Sequence, residues 1–188
     1  MVIPARALSD EDLAVFESED AAALTLPGAA GAGEYSLDAL PDRRAFEEEA
    51  ARHVAFARRN GHPLCFALIA FEGFVEPKAG AGHSQENSVL QAATARWRDV
   101  LRAEDLLGRW GFGEFGIVLP NCNTDSAVQL CWRLREETPS GHSFSAGLVS
   151  YQGTETLDDL VARAGDCLDQ AIAKGSDRTV AEGLVDLD

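Results

Sequence analysis

Two oppositely charged side chains stand three residues apart, just before a predicted glycine turn. Arg102 and Asp105 bracket a predicted helix end, and Gly111 and Gly113 follow shortly after. The apolar runs on both sides of these glycines are typical of a β-hairpin, and glycine permits positive φ and close approach of the backbone to another group. Arg102 and Asp105 either bind a ligand that carries both acceptors and donors or form a local ion pair at the helix end.

The distribution of charge favours an anionic ligand near this turn. The chain has 188 residues and a formal net charge of −15, which argues against nucleic-acid binding because such a surface repels phosphate. Between residues 96 and 135, however, six arginines stand against five acids. This nearly neutral stretch is the predicted place for a small anion.

The elements that must position these residues follow the order αβα, hairpin, αβαβ. A helix has Pro41 in its first turn and stops at Asn60–Gly61, and a continuous apolar run predicts a strand that is covered on both faces. The order predicts one mixed sheet with helices packed on it. The predicted strands are Leu64–Phe71, Asp105–Trp110, Phe115–Leu119, Ser143–Tyr151 and an edge strand at Arg178–Val180.

The N-terminal segment differs from the rest of the chain. Residues 1–34 carry seven acids against one base and end in a Gly/Ala linker, so we predict two parts, residues 1–34 and 35–188. The sequence has no apolar run long enough for a membrane span, and its first residues lack the pattern of a secretory signal, so we expect neither a span nor a signal peptide. Four scattered cysteines without CxxC spacing predict buried, reduced thiols and a cytoplasmic location.

Several motifs in the right order resemble the GGDEF domains of diguanylate cyclases. These motifs are LDALPDRRAF (Leu37–Phe46), FGEFGIVLP (Phe112–Pro120) and FSAGLVS (Phe144–Ser150), and the resemblance covers about residues 35–182. It implies an α/β (α+β) fold: a single mixed, mainly antiparallel five-stranded palm-like sheet, flanked by helices, as in nucleotidyl cyclases. Members of the family make cyclic di-GMP from two GTP molecules with two magnesium ions.

The family's active-site positions are altered in this chain. The resemblance places the metal-binding acids at Ala70, Glu72 and Gly113, of which only Glu72 is acidic, although Glu114 is retained. Phe112 takes the place of a glycine at the phosphate site. Hard Mg²⁺ takes oxygen ligands, so we expect no bound magnesium and no other cofactor. The positions that match the altered site are Ala70, Glu72, Lys78, Asn87, Gly111, Phe112, Gly113, Glu114 and Phe115.

The resemblance implies, in contrast, that a product-binding site is retained. Many family members carry RxxD five residues before the signature, and Arg102 and Asp105 keep this offset. The resemblance places the arginine that completes the site at Arg133. The planar fork of arginine bonds guanine O6 and N7, and aspartate accepts from the N1 and N2 donors of guanine.

The function predicted from these positions is that of a receptor. We predict a GGDEF domain that is not an enzyme and that binds cyclic di-GMP through Arg102, Asp105 and Arg133 in bacterial second-messenger signalling. The alternative is a protein-interaction or scaffold domain that binds a bacterial signalling or localisation protein without nucleotide, and residual cyclase activity ranks last. The oligomeric state is left open, with a homodimer as one alternative.

Overall fold

The computed structural model describes residues 37–74 and 84–183. The predicted acidic segment 1–34 and Lys78 lie outside the described residues. Within these two ranges, after a short 3-10 helix (Leu37–Ala39), four α-helices and five strands follow one another in the predicted order. They are α1 (Arg43–Asn60), β1 (Leu64–Phe71), α2 (Ser84–Val100), β2 (Leu106–Gly111), β3 (Glu114–Pro120), α3 (Thr124–Glu136), β4 (Phe144–Ser150), α4 (Leu157–Ala173) and β5 (Thr179–Ala181).

Helix α1 has a defined cap at each end. Asp42 is the N-cap and its carboxylate accepts from the Ala45 N–H at 2.8 Å, while Gly61 ends the helix with φ 66°. Pro41 was predicted in the first turn, but it precedes the cap. Its carbonyl accepts from the Arg109 N–H at 2.8 Å and ties the start of α1 to β2.

The sheet is mixed and mainly antiparallel, which confirms the predicted fold. Its strand order is β2-β3-β1-β4-β5, and only the β4–β5 pair is parallel. Strand β1 is central and almost wholly buried. Its alternate residues face two separate apolar layers: Cys65, Ala67 and Ile69 join the core with α2 and α3, and Phe66 and Leu68 join the core with α1 and α4. The continuous apolar run of β1 therefore reflects cover on both faces.

The β2–β3 hairpin packs closely against α1. Gly108 and Gly116 lie opposite each other in the two strands, and the ring of Phe46 sits over both. A Cβ at either glycine would approach this ring to 2.6 Å. Larger residues at these positions would displace Phe46, which is fully buried.

The hairpin turn itself has two residues, Phe112 and Gly113. Gly111 pairs with Glu114, and Gly113 adopts φ 71°, whereas Gly111 does not use positive φ. The predicted strand limits were off by about one residue, so Asp105 lies in the turn before β2 and not in the strand. Among the described residues, no helix is both long and apolar enough to cross a membrane.

Candidate functional site

Arg102 and Asp105 form a closed turn between α2 and β2. The Asp105 N–H donates to the Arg102 carbonyl at 3.1 Å, and the Arg102 N–H donates to Oδ2 of Asp105 at 2.8 Å. The carboxylate is therefore held by the backbone of Arg102 and not by an ion pair with its guanidinium. This turn fixes the Asp105 carboxylate against the backbone and leaves the Arg102 side chain exposed.

Arg133 reaches the same turn from the last helical turn of α3. Its Nη2 donates to the carbonyl of Val100, the last residue of α2, at 3.4 Å. A cation is favourable there because the free carbonyls of a helix end carry partial negative charge. The contact brings Arg133 beside two residues that lie about thirty positions earlier in the chain.

The three predicted residues line one small pocket. Its volume is about 50 Å³, enough for a few water molecules, and a ligand larger than this must lie across its mouth. Sequence analysis missed the pocket's other lining residues, because their apolar or small side chains carry no chemical signal. These are Val100, Leu119, Cys122, Ser126 and Leu130.

Burial changes the acidity of the groups in this pocket. It raises the pKa of Asp105, an effect that the hydrogen bond and the charge of Arg102 partly offset. It also raises the pKa of the Cys122 thiol. All four cysteines are free and buried, as predicted.

The hairpin turn is filled by aromatic side chains. The Gly113 carbonyl accepts from the Phe71 N–H at 2.9 Å, and a Cβ at Gly113 would lie 2.7 Å from Cβ of Phe74. The Phe74 ring contacts the Phe112 ring at a centroid distance of 6.4 Å. Phe115 is a buried core residue that packs on Trp97.

Glu72, at the end of β1, belongs to a hydrogen-bond network. Its carboxylate accepts from Ser143 Oγ at 3.0 Å, from Ser145 Oγ at 3.2 Å and from the Asp177 N–H. Asp177 also pairs with Nε of Arg135 at 3.2 Å. The carboxylate thus joins β1, β4 and the segment before β5.

The described residues do not fit the magnesium centre that the resemblance implies. Ala70 and Gly113 have no side-chain ligand atom, and Glu72 is engaged as described, so among the described positions that match the family's site only Glu114 presents an exposed carboxylate. No three His, Cys, Asp or Glu side chains come together as metal ligands within the described ranges. Asn87 is exposed in the first turn of α2.

Comparison with known proteins gives a consistent family. The family model "Diguanylate cyclase, GGDEF domain" matches residues 36–178. The chain is 30% identical over 152 residues to diguanylate cyclase DgcP of Pseudomonas aeruginosa. The aligned region covers 76% of this chain but only 23% of that protein. This chain therefore spans less than a quarter of that relative.

Solved structures agree with the fold. The diguanylate cyclase SiaD of Pseudomonas aeruginosa, in complex with its activator SiaC, has a TM-score of 0.69 at 27% identity and covers 77% of this chain and 60% of that one. The GGDEF domain of DgcB from Caulobacter crescentus, in complex with c-di-GMP, has a TM-score of 0.71 at 21% identity and covers 80% of this chain and 96% of that one.

The comparisons contradict one prediction. The chain was predicted not to be an enzyme, because several family positions are altered. This prediction is wrong on the present findings, since the curated relatives are themselves named diguanylate cyclases. The family model covers most of the chain and the fold is shared. The chain therefore belongs to the diguanylate cyclase GGDEF domain family.

Proposed function

We propose that this GGDEF domain is a receptor for cyclic di-GMP, which binds at the pocket of Arg102, Asp105 and Arg133. The observation that carries the proposal is the meeting of these three side chains, from two distant parts of the chain, at one pocket. The family link to cyclic di-GMP signalling supports the ligand, and the related DgcB domain was solved in complex with c-di-GMP.

The chemistry of the pocket suits a guanine base with a neighbouring phosphate. The exposed guanidinium of Arg102 bonds O6 and N7 in a bidentate manner. One oxygen of Asp105 is engaged by the Arg102 N–H, and the other accepts from the guanine N1–H and N2–H donors. Arg133 has five donors and uses one on Val100, so the remaining donors serve an anionic phosphate.

Calorimetric titration with cyclic di-GMP tests the proposal. Wild-type protein is expected to bind. Arg102→Ala is expected to weaken binding about tenfold, as for the loss of one bidentate contact, and Arg133→Ala is expected to weaken it because a phosphate contact is lost. Arg44→Ala serves as the control because Arg44 is an exposed arginine outside the pocket. Absence of heat at tens of micromolar ligand, or wild-type affinity in Arg102→Ala, would contradict the proposal.

A second candidate function is diguanylate cyclase activity. The names of the relatives favour it, and Glu114 is the retained signature acid. This candidate predicts that incubation with GTP and Mg²⁺ or Mn²⁺, followed by chromatography, gives cyclic di-GMP, and that Glu114→Ala abolishes the product. Folded wild-type protein that yields no product would contradict this candidate.

A protein partner, a homodimer and a cytoplasmic location stay predictions. The related SiaD was solved with a protein activator, which makes a signalling partner a reasonable proposal for this chain as well. A pull-down partner that is retained by Arg102→Ala would favour the scaffold alternative.

A further inference from the structure

One residue of the small pocket carries a hydroxyl group that the proposed function does not use. Ser126 lies in the first turn of α3 and is exposed to solvent. It lines the same cavity of about 50 Å³ as Arg102 and Arg133. A serine hydroxyl is a group that protein kinases convert to a phosphate ester, so this position joins a modifiable oxygen to two cationic side chains.

The regular geometry of α3 places Ser126 and Arg133 on the same side of the helix. Their separation in the chain is about two helical turns, and Leu130, which also lines the pocket, lies between them. The hydrogen bond from Arg133 to the carbonyl of Val100 turns this side of α3 toward the end of α2. Ser126 therefore faces the turn that carries Arg102, although the two residues are far apart in the chain.

The start of α3 is accessible to a modifying enzyme. Asn121, Asn123, Asp125 and Ser126 are all exposed, and Asn121 adopts a left-handed conformation with φ 52°. The first turn is fixed by its cap, in which Oδ1 of Asn123 accepts from the Ser126 N–H at 2.9 Å. Helix ends open at a lower cost in free energy than helix centres, so the serine can enter the active site of a kinase.

The charges around Ser126 favour a phosphate group. Phosphoserine carries a charge of about −1.5 to −2 at pH 7 and three acceptor oxygens. The guanidinium groups of Arg102 and Arg133 line the pocket, against the single carboxylate of Asp105, one oxygen of which the Arg102 N–H already engages. Arginine binds phosphate through parallel hydrogen bonds, and negative charge is also favourable in the first turn of a helix.

We infer that Ser126 is a phosphorylation site and that its phosphate binds Arg102 and Arg133 in place of cyclic di-GMP. The competition with cyclic di-GMP rests on the proposed function. A cavity with room for a few water molecules accommodates one phosphate group, and the group engages both arginines that the ligand needs. Phosphorylation therefore closes the pocket to the ligand.

The phosphate comes from ATP through a serine/threonine protein kinase. Oγ of Ser126 attacks the γ-phosphorus of ATP, and the new Oγ–P bond replaces the bond from this phosphorus to the β–γ bridging oxygen. The hydroxyl proton passes to the catalytic base of the kinase, and ADP leaves. The product is a phosphate monoester on the first turn of α3, beside the two arginines.

Titration of site-specifically phosphorylated protein with cyclic di-GMP tests the competition. Phosphoserine incorporated at position 126 during translation is expected to weaken binding at least about tenfold, because both arginines are engaged. Phosphoserine in place of Gln129, which is exposed on the same helix outside the pocket lining, is the matched control and is expected to bind as the unmodified protein. Ser126→Glu, which carries an acid favoured in the first turn, is expected to show a smaller loss and tests the competition even if the phosphorylated protein fails to fold.

A phosphorus NMR titration without ligand tests the arginine contacts directly. The second pKa of phosphoserine is ordinarily about 6. At position 126 this pKa is expected to be lowered, because Arg102 and Arg133 favour the dianion more than the carboxylates of Asp105 and Asp125 oppose it. The lowering is expected to be lost when Arg102→Ala and Arg133→Ala are combined. Identical titration curves for phosphoserine at positions 126 and 129 overturn the inference.

The outcomes separate this inference from the proposed function. If the unmodified protein binds cyclic di-GMP and phosphorylation at position 126 leaves the affinity unchanged, the inference is overturned and the proposed function stands. If the unmodified protein does not bind but the phosphoserine pKa is lowered, the proposed function is overturned and the arginine contacts of the phosphate stand. Mass spectrometry of the chain isolated from its own cells is expected to find the Ser126 phosphopeptide, and recovery of this peptide only without phosphate overturns the site.

Discussion

The hairpin turn and the turn before the hairpin lie at opposite ends of strand β2. Near the hairpin turn the polar side chain of Glu72 is hydrogen-bonded within the chain, whereas the side chain of Arg102 at the other turn is exposed. At the hairpin end of the sheet, the Glu72 carboxylate accepts three hydrogen bonds from its own chain, and Phe74 packs against Gly113. At the other end, Arg102 and Arg133 remain exposed around a pocket.

This difference shows where the chain holds its structure and where it leaves groups available for a ligand. Hydrogen bonds within the chain stabilise the fold but use up lone pairs that a ligand would need. Asp105 shares both properties: one carboxylate oxygen accepts from the Arg102 backbone, and the other is available to a ligand. We therefore expect changes at the hairpin end to alter stability, and changes at the pocket to alter binding.

The largest effect is expected at the hairpin turn. Gly113→Asp restores an acid at the family's metal position, but it places a Cβ 2.7 Å from Phe74 at a residue with φ 71°. The expected loss in the free energy of unfolding is about 3 kcal/mol. Urea denaturation measures it. Phe74→Ala in the same background is expected to recover part of the loss, and equal stability of Gly113→Asp and wild type would contradict the packing described.

Glu72→Ala is expected to have the next largest effect. It leaves two serine hydroxyls and the Asp177 N–H without their acceptor, at an expected cost of about 2 kcal/mol in the free energy of unfolding. Glu72→Gln keeps one acceptor oxygen and is the matched control, with a smaller loss. Affinity for cyclic di-GMP is expected to stay unchanged. A large loss of affinity would contradict the view that the hairpin end affects stability and not binding.

Arg102→Ala is expected to separate binding from stability. Its side chain is exposed and has no ion pair with Asp105, so the free energy of unfolding is expected to change by less than about 0.5 kcal/mol. Affinity for cyclic di-GMP is expected to fall about tenfold, or about 1.4 kcal/mol. Thermal unfolding and calorimetry on the same sample check both, and a marked loss of stability would show that the turn depends on this side chain.

The smallest effect is expected from pH. The pKa of Asp105 is raised, so its carboxylate is protonated at a higher pH than an ordinary aspartate as the solution is acidified. Ligand affinity is then expected to fall several-fold between about pH 7 and about pH 4, because the protonated group no longer accepts from both guanine donors.

As pH falls, the contribution of Asp105 to the free energy of unfolding is expected to rise, whereas ligand affinity falls. A raised pKa in the folded state means that burial of the carboxylate costs stability at neutral pH, and the cost is relieved as pH falls through that pKa. Asp105→Asn, which cannot ionise, is the reference for both measurements. An affinity profile of wild type that matches that of Asp105→Asn would contradict the role of the carboxylate.

Much of the fold was predictable because its signals are local. The apolar run of β1, the glycines of the hairpin and the stop at Asn60–Gly61 each depend on residues close together in the chain. Local signals were less precise at the ends of elements: Pro41 precedes the cap of α1, and Asp105 lies before β2. Both residues have tertiary or turn contacts that compete with local propensity.

The amino-acid sequence by itself determined the order of the elements and the net charge of −15, and the family resemblance pointed to the three residues that line the pocket. Only the tertiary structure decided that Glu72 joins three segments, that Phe74 packs against Gly113, and that Ser126 lines the pocket beside Arg102. These contacts join residues far apart in the chain, and no local periodicity or spacing specifies them, since they depend on how the helices and the sheet pack together.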